Sequence, residues 1–361
     1  MELEIGATSH GYVAQYAKSI VSSVEDSRSF SVGDYHFYRD ENATYLLSYT
    51  GQEEDLVLPA LSDETYEIYE ETFIDHTFIK TVTIPEGVTA IGVNAFKGCT
   101  SLTSVALPDS IQSLDGTAFD GCTALAFEEY ENCRYLGNDE NKYNTLFSVI
   151  DKTATTITIH DATKIILPSA CSDCTAVTTL TLPSALVTVG GNAFTNCTAL
   201  TQVNIDNFDH WREIDFANVG ANPCSNSTAK LFVNNEALSL GEYVLPNTTR
   251  IKPLTFYNQT SLITLTLPST LETIGENAFT GCSSLNGVYI DSLSHWCSIE
   301  FEGLSTVSSP SGSNPISSTT GAITLYVNNV PVVDAQIFDE AITRISNNAF
   351  AFYSKIASLI L

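Results

Sequence analysis

Between residues 79 and 125 the apolar positions recur on a fixed beat. The chain reads IKTVTIPEGVTAIGVNAFKGCTS and then LTSVALPDSIQSLDGTAFDGCTA, two lines that superimpose at 23 residues before Leu125 starts the pattern again. Ile79, Val82 and Ile84 lead into Pro85 as Leu102, Val105 and Leu107 lead into Pro108. The last two of each trio alternate as a strand does, so their neighbours point to the opposite face. Proline then stops the ladder, because it has no N–H to donate. A second apolar group, Ile111, Leu114, Ala118, Phe119 and Cys122 in the second line, brings the chain back beneath the strand. One such line cannot cover its own apolar face, so repeats must stack. The pattern predicts a solenoid in which each coil adds one strand to a parallel sheet.

Away from this stretch the same beat is stretched and interrupted. Residues 30–58 alternate aromatic and polar positions with turn signals at Gly33-Asp34, Asp40 to Asn42 and Thr50-Gly51, which predicts two or three antiparallel strands. Residues 128–150 read as a strand, a polar turn and another strand, a hairpin inserted between coils. In the shortened coil that follows, Ala170-Cys171-Ser172-Asp173-Cys174 takes the place of the Ala-Phe-x-x-Cys step, with Cys171 standing for the core phenylalanine.

A longer repeat then overlies the short one. Pro183, Asn192-Ala193-Phe194, Cys197 and His210-Trp211 recur 85 residues later as Pro268, Asn277-Ala278-Phe279, Cys282 and His295-Trp296. Leu231-Phe232-Val233-Asn234-Asn235 recurs 94 residues later at Leu325, the difference lying in a longer loop near 303–321 than near 217–228. Each long unit is read as a regular coil, a Trp-bearing coil, a Ser/Asn/Pro loop and a coil led by a V-N-N strand. Residues 1–29 do not match and form an N-terminal cap or linker, with 12–24 able to make a short amphipathic helix. The last line, residues 342–361, stops before its proline, and the open apolar coil this would leave predicts that the chain continues in a longer protein.

The line L-x-x-V-x-L-P-x-x-I-x-x-L-x-x-x-A-F-x-x-C-x-x-L resembles the BspA-like, or Treponema-type, leucine-rich repeat, over residues from about 30 to the end. The resemblance implies an α/β repeat solenoid: right-handed, with its parallel sheet on the concave face and short irregular or helical returns. It also implies a setting in cell-surface or secreted proteins used for adhesion and binding.

Charge narrows the partners. Fifteen Lys and Arg against 42 Asp and Glu give a net charge of −27, which excludes polyanion binding to nucleic acid and to anionic membrane surfaces. No apolar run is long enough to span a bilayer, so this chain inserts in no membrane. Its first residues lack the basic and apolar segments of a signal peptide. Either the protein is cytosolic or a leader has been removed, and the family's extracellular setting favours the second. Nine cysteines cannot all pair within a monomer. Five of them, Cys99, Cys122, Cys174, Cys197 and Cys282, share one repeat position and are expected as buried free thiols, the alternative being oxidation in pairs between neighbouring coils.

The candidate chemistry is thin. His210 and His295 each lie near carboxylates (Asp209, Glu213 and Asp215; Asp291 and Glu300), yet no nucleophile accompanies them, and Asp209 and Glu213 become Ser294 and Ser298 in the second copy. They are read as structural anchors. Cys171-x-x-Cys174 lacks two further ligands, and the acidic clusters lack a calcium-loop pattern, so neither metal nor cofactor is expected and no catalytic residue is assigned. Strand parity gives one positive expectation. It turns Thr81, Thr83, Ser104, Ala106, Thr179, Thr181, Gln202, Asn204, Thr264 and Thr266 outward, a small polar face, and adds Phe232, Tyr289 and Tyr326 towards the C-terminal end. Aromatics on a polar sheet suit protein or glycan recognition.

The reading is thus a monomeric, non-enzymatic adhesion region that binds a protein or glycan of a host surface or matrix through Phe232, Tyr289, Tyr326, Gln202 and Asn204. The alternatives are a spacer that presents another domain, or the repeat region of a secreted enzyme whose catalytic domain lies outside this chain.

Overall fold

The computed structural model describes residues 28–226, 228–303, 312–317, 323–333, 342, 344–351 and 353–356. The helix expected at 12–24 lies outside them, as does most of the 303–321 loop. The chain forms two compact units, one running to Asp151 and including Ile159–Ala170, the other comprising Lys152–Thr158 and the chain from Cys171. Both are stacks of β-solenoid turns, about 11 in all.

In the first unit the strands predicted by the 23-residue beat pair in parallel, Asp55–Val57 with Thr81–Thr83 and Thr81–Thr83 with Ser104–Ala106. Equivalent residues face each other: Leu56 with Val82, Val82 with Val105. These inward residues are buried, and so are Ile84 and Leu107 just before the prolines' turns. The phenylalanines of the return stack into a ladder, Phe73 on Phe96 at 4.8 Å and Phe96 on Phe119 at 5.4 Å between ring centroids. Stacking identical residues from coil to coil is what makes a turn stable only beside its neighbours.

The returns are more regular than the sequence suggests. Each carries a short strand of its own: Tyr66–Ile68, Val88–Ile91 and Ser113–Leu114 form a second parallel ladder. This ladder begins in an antiparallel sheet, Ser29–Val32, Tyr35–Arg39 and Thr44–Tyr49, the last of which pairs in parallel with Tyr66–Ile68. Residues 128–150 repeat that arrangement. Glu128–Tyr130, Cys133–Leu136 and Thr145–Val149 run antiparallel, and Thr145–Val149 then pairs in parallel with Ile165–Ile166. The inserted hairpin is therefore a second copy of the starting sheet, and the Asp-Glu-Asn turns at 40–42 and 139–141 mark the correspondence.

In the second unit Thr156–Thr158, Thr179–Thr181, Gln202–Ile205 and Lys230–Val233 form a parallel run. Gly241–Val244, Leu262–Thr266, Gly287–Ile290 and Thr324–Val327 form another. Each run closes with an antiparallel hairpin, to Glu236–Ala237 and to Val330–Pro331. Here the sequence reading needs correction. The strands that lead these coils end at Val233 and Val327, and the Asn-Asn pairs are not part of them; they are the two-residue hairpin turns, with φ of 53° and 64° at Asn234 and Asn235 and of 49° and 65° at Asn328 and Asn329. Two successive left-handed residues make the turn whose twist matches a hairpin, and asparagine tolerates that conformation.

The Trp-bearing coils turn through short helices, Phe208–Trp211 and Leu293–Ser298, capped by the Asn207 and Ser292 side chains. Trp211 and Trp296 are wholly buried, and each indole N–H donates to a carbonyl further along the chain: Thr255 at 3.0 Å and Ala349 at 2.9 Å.

Candidate functional site

The outward rows of the second unit's two sheets follow from the register. In the first sheet Thr158, Thr181, Asn204, Phe232 and Ala237 lie side by side across the strands, with Thr179, Gln202 and Lys230 in the row beside them. In the second, Val244, Thr266, Tyr289, Tyr326 and Pro331 form one row, and Glu242, Thr264, Gly287 and Thr324 the next. The structure thus sets Gln202, Asn204 and Phe232 on one sheet and Tyr289 and Tyr326 on the other. All five are half-buried.

The two groups behave differently. Gln202 Nε2 donates to Asn204 Oδ1 at 2.8 Å, and Asn204 Nδ2 donates to Thr181 Oγ1 at 3.2 Å, so these amides hold one another flat on the sheet. Tyr289 and Tyr326 instead stack, with centroids 4.6 Å apart and planes within 8° of parallel. Gly287 makes room for them. A Cβ there would come within 3.2 Å of Tyr289 Cε2 and 3.4 Å of Tyr326 Cε2, so both rings lie down along their strands with an edge over the glycine. Gly287, Glu242, Val244 and Pro331 were not singled out from the sequence. The available signal was the register itself, which puts a glycine where the flanking strands have Thr264 and Thr324.

The histidines are engaged within the fold. His210 Nδ1 lies 3.2 Å from Asp206 Oδ1, and its Nε2 lies 2.9 Å from the Leu186 carbonyl. His295 repeats this with Asp291 at 3.1 Å and the Leu271 carbonyl at 2.7 Å. With both ring nitrogens held, neither imidazole has a nitrogen left to serve a substrate. The sequence reading named Asp209, Glu213 and Asp215 as neighbours of His210, but its partner is Asp206, one helical turn earlier and equivalent to Asp291.

The repeat-position thiols sit against the preceding coil. Cys99, Cys122, Cys197 and Cys282 place Sγ 3.2, 3.1, 3.2 and 3.0 Å from the carbonyls of Phe73, Phe96, Cys171 and Phe256, each 26 residues back. Burial pushes the thiols of Cys197, Cys224 and Cys282 up to about 12. The Cys171 amide donates to the Ala193 carbonyl as that of Phe96 does to Ala118, so Cys171 does occupy the phenylalanine position. Among the described residues no group of three or more His, Cys, Asp or Glu is placed to hold a metal ion, and no helix is long and apolar enough to cross a membrane.

Comparison with known proteins places this geometry. The family described as "BspA type Leucine rich repeat region" matches in six copies, over residues 66–150, 143–221 and 228–357. Similar solved structures include a leucine-rich repeat protein of T. pallidum, 19% identical over 71% of this chain and 90% of that one, with a TM-score of 0.29. Another is a leucine-rich cell surface protein of Faecalibacterium prausnitzii A2-165, 18% identical over 78% of this chain and 100% of that one, TM-score 0.32. The pneumococcal vaccine antigen PcpA is 11% identical over 92% and 98% of the two chains, TM-score 0.30. No curated protein matches. With repeat matches over well more than half its length, and with coils whose strand, proline and Ala-Phe-x-x-Cys steps are those of the repeat, this chain belongs to the BspA-type leucine-rich repeat family.

Proposed function

We propose that this chain is a non-enzymatic recognition region of a cell-surface or secreted protein, binding a protein or glycan ligand through the outward sheet faces of its second unit. The observation that carries this reading is the Tyr289–Tyr326 stack: two large rings, half-buried and fixed, on a face otherwise made of threonine and glycine at its centre and of Glu242, Val244 and Pro331 at its edges. Rigid, amphipathic tyrosines give contact area at small entropic cost and are over-represented among the residues that dominate binding. A repeated sheet holds such contacts in register, so that weak ones add along a long interface. The extracellular setting is the one that family membership favours, and the charge of −27 fits a neutral or basic partner.

The test is a screen against arrayed extracellular-matrix proteins and glycans, run beside a Phe232→Ala, Tyr289→Ala, Tyr326→Ala triple variant whose folding is checked by circular dichroism. Specific binding that disappears in the folded variant supports the reading. Binding that survives it removes the sheet faces from the account, and no binding across the array removes recognition.

A further inference from the structure

The tyrosine stack has two ends, and they differ. Its step of 4.6 Å is the spacing of neighbouring strands, about 4.8 Å, so each ring stands over its own strand. One step beyond Tyr326 comes the hairpin strand, where Pro331 lies opposite Tyr326 and closes that end. One step beyond Tyr289 comes Leu262–Thr266, whose outward residues are Thr264 and Thr266. Neither carries a ring, and Thr264 Cγ2 lies 3.4 Å from the Gly287 Cβ position, level with the lower edge of the Tyr289 ring. The position a third ring would take therefore holds no aromatic side chain, and it is bordered by two threonines whose hydroxyls have no side-chain hydrogen-bond partner among the described residues. On its far side the next strand raises Glu242 and Val244, both exposed, Val244 at 67%.

We propose that this position binds one neutral pyranose ring of a glycan, stacked on the free face of Tyr289 beside Thr264 and Thr266. The proposal rests on the recognition reading above and names its ligand. A pyranose carries polarised C–H bonds on one face and hydroxyls around its rim. The C–H face matches the negative face of an aromatic ring. The rim meets groups that can both donate and accept, Thr264 Oγ1 and Thr266 Oγ1, and the acceptor-only Glu242 carboxylate. Gly287 lets the Tyr289 ring lie against the backbone, so the platform is set before the sugar arrives and little rotamer freedom remains to be lost. Charge selects against acidic sugars. Glu242 borders the slot, and the ammonium of Lys355 is on the other side of the stack, donating to Thr324.

The test uses the whole chain with cellotriose, maltotriose, mannotriose and chitotriose, and with trigalacturonate as the acidic comparison. Saturation-transfer NMR and calorimetry are run on the wild type and on Tyr289→Ala, Thr266→Trp and Val187→Ala. Thr266→Trp fills the slot while leaving both tyrosines in place; Val187 is exposed and lies just before Thr188–Val189, a strand of the other ladder. The expected result is that at least one neutral trisaccharide binds through its C–H face, and that Tyr289→Ala and Thr266→Trp each weaken it by about tenfold or more. Val187→Ala leaves it unchanged, and trigalacturonate binds more weakly. Failure of all four neutral sugars to bind overturns the proposal, and so does a bound sugar indifferent to Thr266→Trp. An arrayed protein that binds through Tyr289 while no sugar does overturns this proposal and leaves the recognition reading standing; absence of any ligand ends both.

Discussion

The two parallel sheets of the second unit, one closing at Ala237 and the other at Pro331, share their plan: four parallel strands, an Asn-Asn turn and one antiparallel strand to end the ladder. Their outward rows differ at a few positions. Opposite Phe232 the first sheet has Asn204, tied by amide hydrogen bonds to Gln202 and Thr181. Opposite Tyr326 the second has Tyr289, with Gly287 beside it. One aromatic next to a self-satisfied amide row gives an isolated contact, whereas two aromatics in register over a glycine give a fixed platform. The inside of the repeat thus sets where a side chain stands, and the outer face decides what it can do there.

That separation can be attacked from the inside first. High pH acts on the shared interior. Cys197, Cys224 and Cys282, pushed up to about 12 by burial, stay protonated in the folded chain, while the unfolded chain ionises from about 8.5. A raised folded pKa in an acid means stability that is complete below the unfolded value and lost as pH rises towards the folded one. Urea midpoints should therefore hold steady to about pH 8.5 and fall steadily above it. The thiols of Cys197, Cys224 and Cys282 should resist alkylation at pH 8 in the native chain and react fully in denaturant.

The tryptophans come next. Trp211→Ala and Trp296→Ala each empty a fully buried site and orphan a carbonyl, at a cost of about 3–5 kcal/mol. Similar costs for the two, measured by equilibrium unfolding, would show that the sheets rest on equivalent interiors; a large difference would break that equivalence.

The hairpin turns give the smallest effect. Asn235→Ala and Asn329→Ala put a Cβ-bearing residue without asparagine's local hydrogen bonds at φ near 65°, at about 1 kcal/mol, while Asn→Gly at the same sites should cost nothing or stabilise slightly. Thermal unfolding of the four variants checks this.

Most of the architecture was written in the 23-residue beat, because stacking forces equivalent residues onto one another and so onto one line of sequence. The short strand that each return carries was not. Ser113–Leu114 and Thr188–Val189 are two residues long, too short to show alternation, and exist because neighbouring coils bring their backbones into register. The Asn-Asn turns were missed for a related reason: they follow good strand residues, and only the antiparallel partner reveals the reversal. Parity was enough to turn Phe232, Tyr289 and Tyr326 outward. Stacking, by contrast, depends on cross-strand register and on Gly287, neither of which parity contains. Asp206 was overlooked because its role needs a helix that returns His210 to it.

The most direct test of the account is the affinity of the wild type, Tyr289→Ala and Phe232→Ala for the strongest ligand on the array. The account predicts a loss of about tenfold or more for Tyr289→Ala and of less than about threefold for Phe232→Ala, both with wild-type melting. Equal losses, or a greater loss at Phe232, would contradict the claim that the stacked tyrosines make the site.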